Sequence, residues 1–137
     1  MKSAQITTVP ADRRAEVEEF YRRELGRDVS LGEGEDVVCA DEGGVIIGAL
    51  RLFPANGTLI LRTMVVADGS RGRGIGRAML RAASERIGDR ECYCFPWAHL
   101  ERFYGEIGFR PIDRDSLPVE LARYLGPGIP TRRGAGG

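Results

Sequence analysis

An apolar segment that runs into a glycine-rich turn constrains the fold of this chain more than any other feature. Residues 59–66 are mostly apolar, and a four-residue connection leads to the run Arg71-Gly72-Arg73-Gly74-Ile75-Gly76-Arg77. Apolar residues then recur at helical spacing at Ile75, Ala78, Met79, Ala82, Ala83 and Ile87. This pattern predicts a strand, a tight turn and an amphipathic helix whose first turn carries few side chains.

The start of this helix is predicted to bind an anion. The first N–H groups of a helix have no partner inside it, and the helix dipole adds positive charge there. Arg71, Arg73 and Arg77 place further positive charge around the three glycines. The sequence therefore predicts a pyrophosphate site. It is not a P-loop, because no Gly-Lys-Ser/Thr follows, and a dinucleotide fingerprint would need glycine where Arg77 stands. A loop that only turns the chain is the alternative.

Two segments carry a resemblance to a known family. Residues 71–76 resemble the acetyl-CoA signature of the GNAT superfamily of acyl-CoA-dependent N-acyltransferases, Arg/Gln-x-x-Gly-x-Gly/Ala. Phe103-Tyr104 and Gly108-Phe109 resemble its second signature, Phe-Tyr-x-x-x-Gly-Phe. The resemblance implies transfer of acetyl from acetyl-CoA to a primary amine of a small molecule, directly, in a ternary complex. Carried over residue by residue, it implies contacts with acetyl-CoA at Met64, Val65, Val66, Arg71, Gly72, Arg73, Gly74, Ile75, Gly76 and Arg77.

The resemblance also implies a catalytic role for Tyr104. In the family this tyrosine stands beside the acyl-CoA sulfur and can donate a proton to the departing thiolate. A tyrosine with an ordinary pKa near 10 is protonated at neutral pH. A backbone N–H of the preceding strand, at Val66, can stabilise the oxyanion that forms when the amine attacks. The alternative is that Tyr104 belongs to the core, because it lies on the apolar stripe of its helix.

The general base is not assigned by the sequence. Many enzymes of this family carry a glutamate on the strand before the glycine turn, whereas this strand has only Arg62 and Thr63 as polar members. Glu33, Glu35 and Glu106 remain as candidates that would act through water. The missing glutamate keeps a domain that binds acyl-CoA without turnover as an alternative. Acetylation of a protein N-terminus or lysine is a further alternative.

A hairpin signal predicts the register of two arginines. A two-residue turn at Asn56-Gly57 would place Arg51 opposite Arg62 on one face of the sheet, a face that Met64 and Val66 would share. Two guanidinium groups at this position predict a site for an anion, most simply the carboxylate of an amino-acid-like acceptor. The alternative is that each arginine pairs with its own carboxylate or extends into solvent.

The remaining elements predict an α/β fold with a mixed sheet. Strands are expected at 6–9, 36–40, 45–53, 59–66, 91–95 and 109–112, and helices at 12–25, 74–87, 98–107 and 116–125. A helix lies between strands 59–66 and 91–95, which should make them parallel neighbours. This order resembles the GNAT fold, with a mostly antiparallel sheet, one parallel pair and helices on both faces. The segment 27–35 is expected to be a loop.

Composition limits the partners and the compartment. The 137 residues have zero formal net charge and three cysteines, which favour neither nucleic acid nor a membrane as partner and indicate a reducing cytoplasm. Cys92, Cys94 and His99 lack zinc-finger spacing, so no metal is expected. Residues 1–126 are expected to form a single domain and residues 127–137 a disordered tail. The sequence does not decide between a monomer and a homodimer.

Overall fold

The computed structural model describes residues 4–134, which contain a seven-stranded sheet. The strands are β1 (Gln5–Thr8), β2 (Asp36–Glu42), β3 (Val45–Ala55), β4 (Thr58–Val66), β5 (Cys92–Cys94), β6 (Arg110–Pro111) and β7 (Thr131–Arg133). Their order across the sheet is β1-β2-β3-β4-β5-β7-β6. Only the β4–β5 pair is parallel among the pairs of this sheet. The predicted mixed sheet with one parallel pair is therefore confirmed.

Helices cover both faces of the sheet, as predicted. The helices are α1 (Arg14–Leu25), α2 (Ile75–Ile87) and α3 (Glu101–Gly105). α1 packs with Val17, Phe20 and Tyr21 on one face, and α2 packs on the other face together with Tyr104 of α3. None of the helices within residues 4–134 has the length and apolar character needed to cross a bilayer.

The β3–β4 hairpin has the predicted register. Asn56 and Gly57 both have positive φ, of 50° and 81°, which a two-residue type I′ turn requires. Ala55 is paired with Thr58, and the ladder continues to Arg51 opposite Arg62. The preceding turn is tighter than predicted, because β2 continues to Glu42 and leaves only Gly43 and Gly44 between the strands. The segment 27–35 contains no helix or strand, as expected.

Several predicted boundaries in the C-terminal third are wrong. The helix expected over 98–107 is a 3₁₀ turn at Ala98–Leu100 followed by the short α3. The helix expected over 116–125 is replaced by 3₁₀ turns at Arg114–Ser116 and Val119–Tyr124. The second of these packs its buried Leu121 against Ile60 and Tyr93, and so adds a third apolar cluster on the α1 face of the sheet.

The prediction of a disordered tail from residue 127 is also wrong for the residues that form β7. Thr131 is buried, and its hydroxyl donates a 2.6 Å hydrogen bond to the carbonyl of Cys94. β7 pairs with β5 on one side and with β6 on the other, so its backbone groups are satisfied within the sheet. This pairing overrides a local composition rich in glycine, proline and arginine. Residues 135–137 of the predicted tail lie outside the described residues.

Candidate active site

A cleft opens where the two parallel strands separate. β4 and β5 are paired only from Leu59 to Leu61, opposite Cys92 to Cys94. Beyond this point a cleft of about 340 Å³ lies between them. It is lined by Leu25, Arg27, Ile60, Leu61, Arg62, Thr63, Met64, Val65, Cys94, Phe95, Pro96, Trp97, Leu100, Tyr104 and Tyr124. The second half of β4 therefore has one edge that faces open space instead of another strand.

A β-bulge at Thr63 separates the two halves of β4. The register shifts between the Arg51–Arg62 pair and the Ala49–Val65 pair, which gives β4 one extra residue. Thr63 has φ of 55°, a left-handed conformation that is unusual for a β-branched residue. The hydroxyl of Tyr21 donates a 2.7 Å hydrogen bond to the carbonyl of Thr63. Tyr21 is a fully buried residue of α1, so the packing of this helix on the sheet holds the bulge in place.

The bulge corrects one predicted relation between side chains. Met64 and Val66 were expected on the same face as Arg62, because side chains alternate along a strand. The extra residue reverses this alternation: Met64 and Val66 pack towards α2, whereas Ile60 before the bulge packs on the opposite face. The N–H of Ala67 donates to Ile47 of β3, and alternation along β4 then directs the N–H of Val66 away from β3, towards the open edge.

The glycine turn leaves the first N–H groups of α2 uncovered. Gly72 and Gly74 have φ of 80° and 78°, and an added Cβ at either residue would find no atom within 4 Å. Gly74 is the N-cap of α2, and no side chain caps the helix. A helix start with free donors, left-handed glycines and open space above them fits a pyrophosphate that approaches the backbone closely.

The arginines around this turn are less free than predicted. Arg73 pairs with Glu42, and Arg77 forms two hydrogen bonds of 2.9 and 3.0 Å with Glu106. The Nε of Arg71 donates to the Val66 carbonyl at 3.3 Å. The ion pairs of Arg73 and Arg77 are exposed to solvent, and exposed pairs contribute little free energy. A phosphate can therefore compete for these guanidinium groups.

The two segments that carry the sequence signatures meet in space. An added Cβ at Gly76 would lie 3.5 Å from the ring of Phe103 and 3.8 Å from the end of Met64. Ile75, next to it, is buried in the same core cluster as Tyr104. The first turn of α2, the second half of β4 and α3 are thus packed against one another.

Tyr104 lies in the wall of the cleft. Its ring packs edge-on against Phe103 and Phe109, with centroids 5.3 and 6.4 Å away. Burial, followed by the neighbouring Cys94, raises its pKa. Each fully buried side-chain oxygen or nitrogen in residues 4–134 has a hydrogen-bond partner, and none is recorded for the Tyr104 hydroxyl. The hydroxyl is therefore accessible from the cleft, and the phenol stays protonated at neutral pH.

The two register-matched arginines have different environments. Arg51 is buried and donates two hydrogen bonds, of 2.7 and 2.9 Å, to the carboxylate of Glu35. Arg62 is half-buried and lies over the rings of Phe53 and Tyr124, at 5.5 and 5.2 Å from their centroids. Burial, followed by the charge of Arg51, lowers the pKa of Arg62. Both guanidinium groups lie over the ring of Phe53, but Arg62 lines the cleft whereas Arg51 does not.

None of the three candidate bases lines the cleft. Glu35 is bound to Arg51, Glu106 is bound to Arg77, and Glu33 is exposed on its loop. Within residues 4–134, no group of three or more His, Cys, Asp and Glu side chains could hold a metal ion.

Sequence reasoning missed several residues that shape the site. Trp97 and Tyr124 line the cleft, and Tyr21 and Thr63 fix the bulge. The Phe20-Tyr21 pair resembles Phe103-Tyr104, but nothing in the spacing predicts a bond from Tyr21 to a carbonyl 42 residues away.

Comparisons with known proteins agree with this fold. The model of a family described as "Acetyltransferase (GNAT) domain" matches residues 33–111. No curated protein matches the sequence. An acyl-CoA N-acyltransferase from Pseudomonas aeruginosa superimposes with a TM-score of 0.70 at 20% identity, over 98% of this chain and 100% of that chain.

Two further solved structures share the fold. The ribosomal-protein-S18-alanine N-acetyltransferase from Escherichia coli gives a TM-score of 0.71 at 15% identity, over 98% of this chain and 97% of that chain. Arabidopsis thaliana Naa50, in complex with the bisubstrate analogue CoA-Ac-MVNAL, gives 0.64 at 17% identity, over 97% of this chain and 99% of that chain. At these identities the likeness concerns the fold alone.

Proposed function

The chain belongs to the GNAT acetyltransferase family, and on that premise we propose that it transfers the acetyl group of acetyl-CoA to a primary amine of a small molecule. One observation supports this most: the first turn of α2, the second half of β4 and α3 pack against one another, and Met64 of β4 and Tyr104 of α3 line the same cleft. The turn would hold the pyrophosphate, the open edge would bond the acyl arm, and Tyr104 would face the sulfur.

The reaction would proceed by direct transfer. The amine nitrogen attacks the thioester carbonyl, and the carbonyl oxygen becomes an oxyanion within reach of the Val66 N–H. Collapse of this intermediate forms the amide and breaks the carbon–sulfur bond. Tyr104 gives its proton to the departing thiolate. Because burial raises the pKa of Tyr104, a free tyrosinate is costly, and we expect the proton of the attacking amine to return to the phenol as the thiol leaves.

The amine would reach the cleft already neutral, or lose its proton to water. No carboxylate or imidazole is present among the described residues that line the cleft, and Arg27 and Arg62 lie there. Like charges disfavour an ammonium group and lower its pKa. The rate is therefore expected to rise with pH up to the pKa of the bound amine.

A second candidate is acetylation of a protein N-terminus. The segment 27–35 carries no helix on its side of the cleft, which leaves room for a longer acceptor. The Escherichia coli enzyme named above acts, by its name, on an alanine of a ribosomal protein. A domain that binds acyl-CoA without turnover is the third candidate, favoured by the lack of an acidic group in the cleft.

The release of free thiol from acetyl-CoA distinguishes these functions. The protein is incubated with acetyl-CoA and, separately, with small amines, a pentapeptide with a free N-terminus, and the same peptide blocked at its N-terminus. Release with small amines supports the proposal, and release with the free peptide alone supports the second candidate. Binding of acetyl-CoA in calorimetry without release from any acceptor would identify a binding domain.

A further inference from the structure

Arg51 and Arg62 face each other across β3 and β4, but only one of them has a carboxylate partner. Glu35 accepts two hydrogen bonds from Arg51 and a third, of 2.6 Å, from the backbone N–H of Gly32. Both charged side chains are buried and form an ion pair. Glu35 therefore offsets part of the charge of Arg51, which still contributes, after burial, to the lowered pKa of Arg62.

Arg62 has aromatic neighbours in place of a carboxylate. Its guanidinium group lies over Phe53 on one strand and over Tyr124 of the C-terminal segment. Contact with two rings offsets part of the cost of burial and restricts the orientation of the group. No ion pair or hydrogen bond involves Arg62 within residues 4–134. Because fully buried polar atoms there all have partners, its nitrogen atoms are reachable from solvent.

The cleft around Arg62 is lined by positively charged side chains and, among the described residues, by no carboxylate. Arg27 lines the same cleft as Arg62. No aspartate or glutamate is found among the described residues that line it. An uncompensated cation beside apolar walls attracts an anion more strongly than one in open water does.

Given the proposed transferase function, on which this inference rests, we propose that Arg62 binds a carboxylate on the acceptor, which is then a small amino acid. A guanidinium fork matches a carboxylate in two parallel hydrogen bonds, and the stacked rings hold the fork in place. The Tyr104 hydroxyl lies in the same cleft, so the amine of such an acceptor is directed to the acyl arm. Trp97, which is 59% exposed, offers an apolar surface to the acceptor side chain.

The first experiment compares each free acid with its amide. Thiol release from acetyl-CoA is measured with glycine, β-alanine and L-leucine, and with the amide of each, for the wild type and Arg62→Leu. We expect the acid-to-amide ratio of kcat/KM to fall by about tenfold in Arg62→Leu, mainly through KM. Comparing ratios cancels the different basicity of the two amines. Arg62→Lys, which keeps the charge without the fork, should give an intermediate ratio.

A matched control is Arg123→Leu. Arg123 also lies over the ring of Tyr124, at 5.2 Å, but it is exposed and does not line the cleft. Its loss should leave the acid-to-amide ratio unchanged. An equal loss for acids and amides in Arg62→Leu would mean that Arg62 only supports the fold, and it would overturn the proposal.

The second experiment does not depend on turnover. Trp97 is the one tryptophan of the chain, and its fluorescence reports on the cleft. Titration with L-leucine and with L-leucinamide, in the presence of CoA, should show tighter binding of the acid in the wild type but not in Arg62→Leu. If no thiol is released but this preference is found, the transferase function fails and the carboxylate site stands. Equal binding of acid and amide by the wild type would overturn the site whether or not thiol is released.

Discussion

Two regions on either side of the bulge each contain a tyrosine and an arginine, but among the described residues these side chains have hydrogen-bond partners in only one of the regions. Beneath the bulge, Tyr21 bonds the Thr63 carbonyl and Arg51 bonds Glu35, so each polar group is satisfied inside the protein. In the cleft, Tyr104 and Arg62 have no recorded hydrogen-bond partner within residues 4–134. We call the first set the closed network and the second the open cleft.

The difference separates structural from functional polar groups. A buried polar group without a hydrogen-bond partner is costly. A polar group that has no partner inside the protein is therefore found where water or a ligand can form the hydrogen bond. Sequence context does not distinguish the two sets, because each tyrosine follows a phenylalanine and the two arginines are in direct register. Partners in the structure do distinguish them. The closed network should therefore determine stability, and the open cleft should determine binding and rate.

The largest expected effect is on stability, at Arg51. Arg51→Leu leaves the Glu35 carboxylate buried without its partner, which should lower the free energy of unfolding by about 3 kcal/mol or more. Arg62→Leu removes no ion pair and should cost about 1 kcal/mol. Urea unfolding measures both. The double variant Arg51→Leu/Glu35→Leu should recover part of the loss, and equal losses for the two single variants would remove the distinction between the regions.

The next effect is on the rate, at Tyr104. Tyr104→Phe keeps the ring packing and removes the proton donor, so kcat should fall by roughly 100-fold, about 2.7 kcal/mol, with KM for acetyl-CoA little changed. Steady-state kinetics with any accepted amine measure this. A variant as fast as the wild type would place Tyr104 in the core and leave the proton of the leaving thiol unassigned.

The third effect is on acetyl-CoA binding, at the first turn of α2. Gly74→Val adds a side chain where a phosphate would approach the N–H groups of α2, and should weaken acetyl-CoA binding by at least about tenfold, or 1.4 kcal/mol. Valine is also strained at this positive φ. Gly57→Val is the control, because Gly57 has φ of 81° and open space at the other end of β4. Calorimetry should show unchanged affinity for Gly57→Val, and equal affinities in both variants would exclude the phosphate site.

The smallest effect tests the bulge. Tyr21→Phe removes the donor to the Thr63 carbonyl and should cost about 1 kcal/mol of stability, the net value of a typical hydrogen bond. Its effect on kcat should be much smaller than that of Tyr104→Phe. A 100-fold loss of kcat in Tyr21→Phe, with stability unchanged, would place this tyrosine in the catalytic machinery instead.

Local signals in the sequence predicted the central part of the fold. The glycine turn, the helical spacing after it and the Asn56-Gly57 turn each act over a few residues, and they fixed α2, the parallel neighbours β4 and β5, and the Arg51–Arg62 register. These features depend on backbone geometry that particular residues favour strongly. The match of residues 33–111 to the GNAT acetyltransferase family confirms the resemblance predicted from the glycine turn.

The features that local signals could not predict arise from distant contacts. Thr63 adopts a left-handed conformation at a bulge whose carbonyl accepts a hydrogen bond from the distant Tyr21, and a β-branched residue does not indicate such a conformation in the sequence. Glu35 was one of three equal candidates for a base until its bonds to Arg51 were visible. β7 looked like a tail because its strand character comes from pairing on both edges and not from its composition.

The position of β7 also sets the order in which the molecule can be completed during synthesis. β5 and β6 are not paired with each other, because β7 lies between them in the sheet. Thr131 of β7 donates a hydrogen bond to the carbonyl of Cys94, 37 residues earlier in the chain. Contacts between distant residues close late, because long loops lose more entropy. A growing chain can form the hairpins of β2, β3 and β4 early, but the cleft wall made by β5 keeps an open edge until the residues of β7 have left the ribosome. The wall of the cleft at β5 is therefore completed only after residues 131–133 have been synthesised, whereas the hairpins beside it can form earlier.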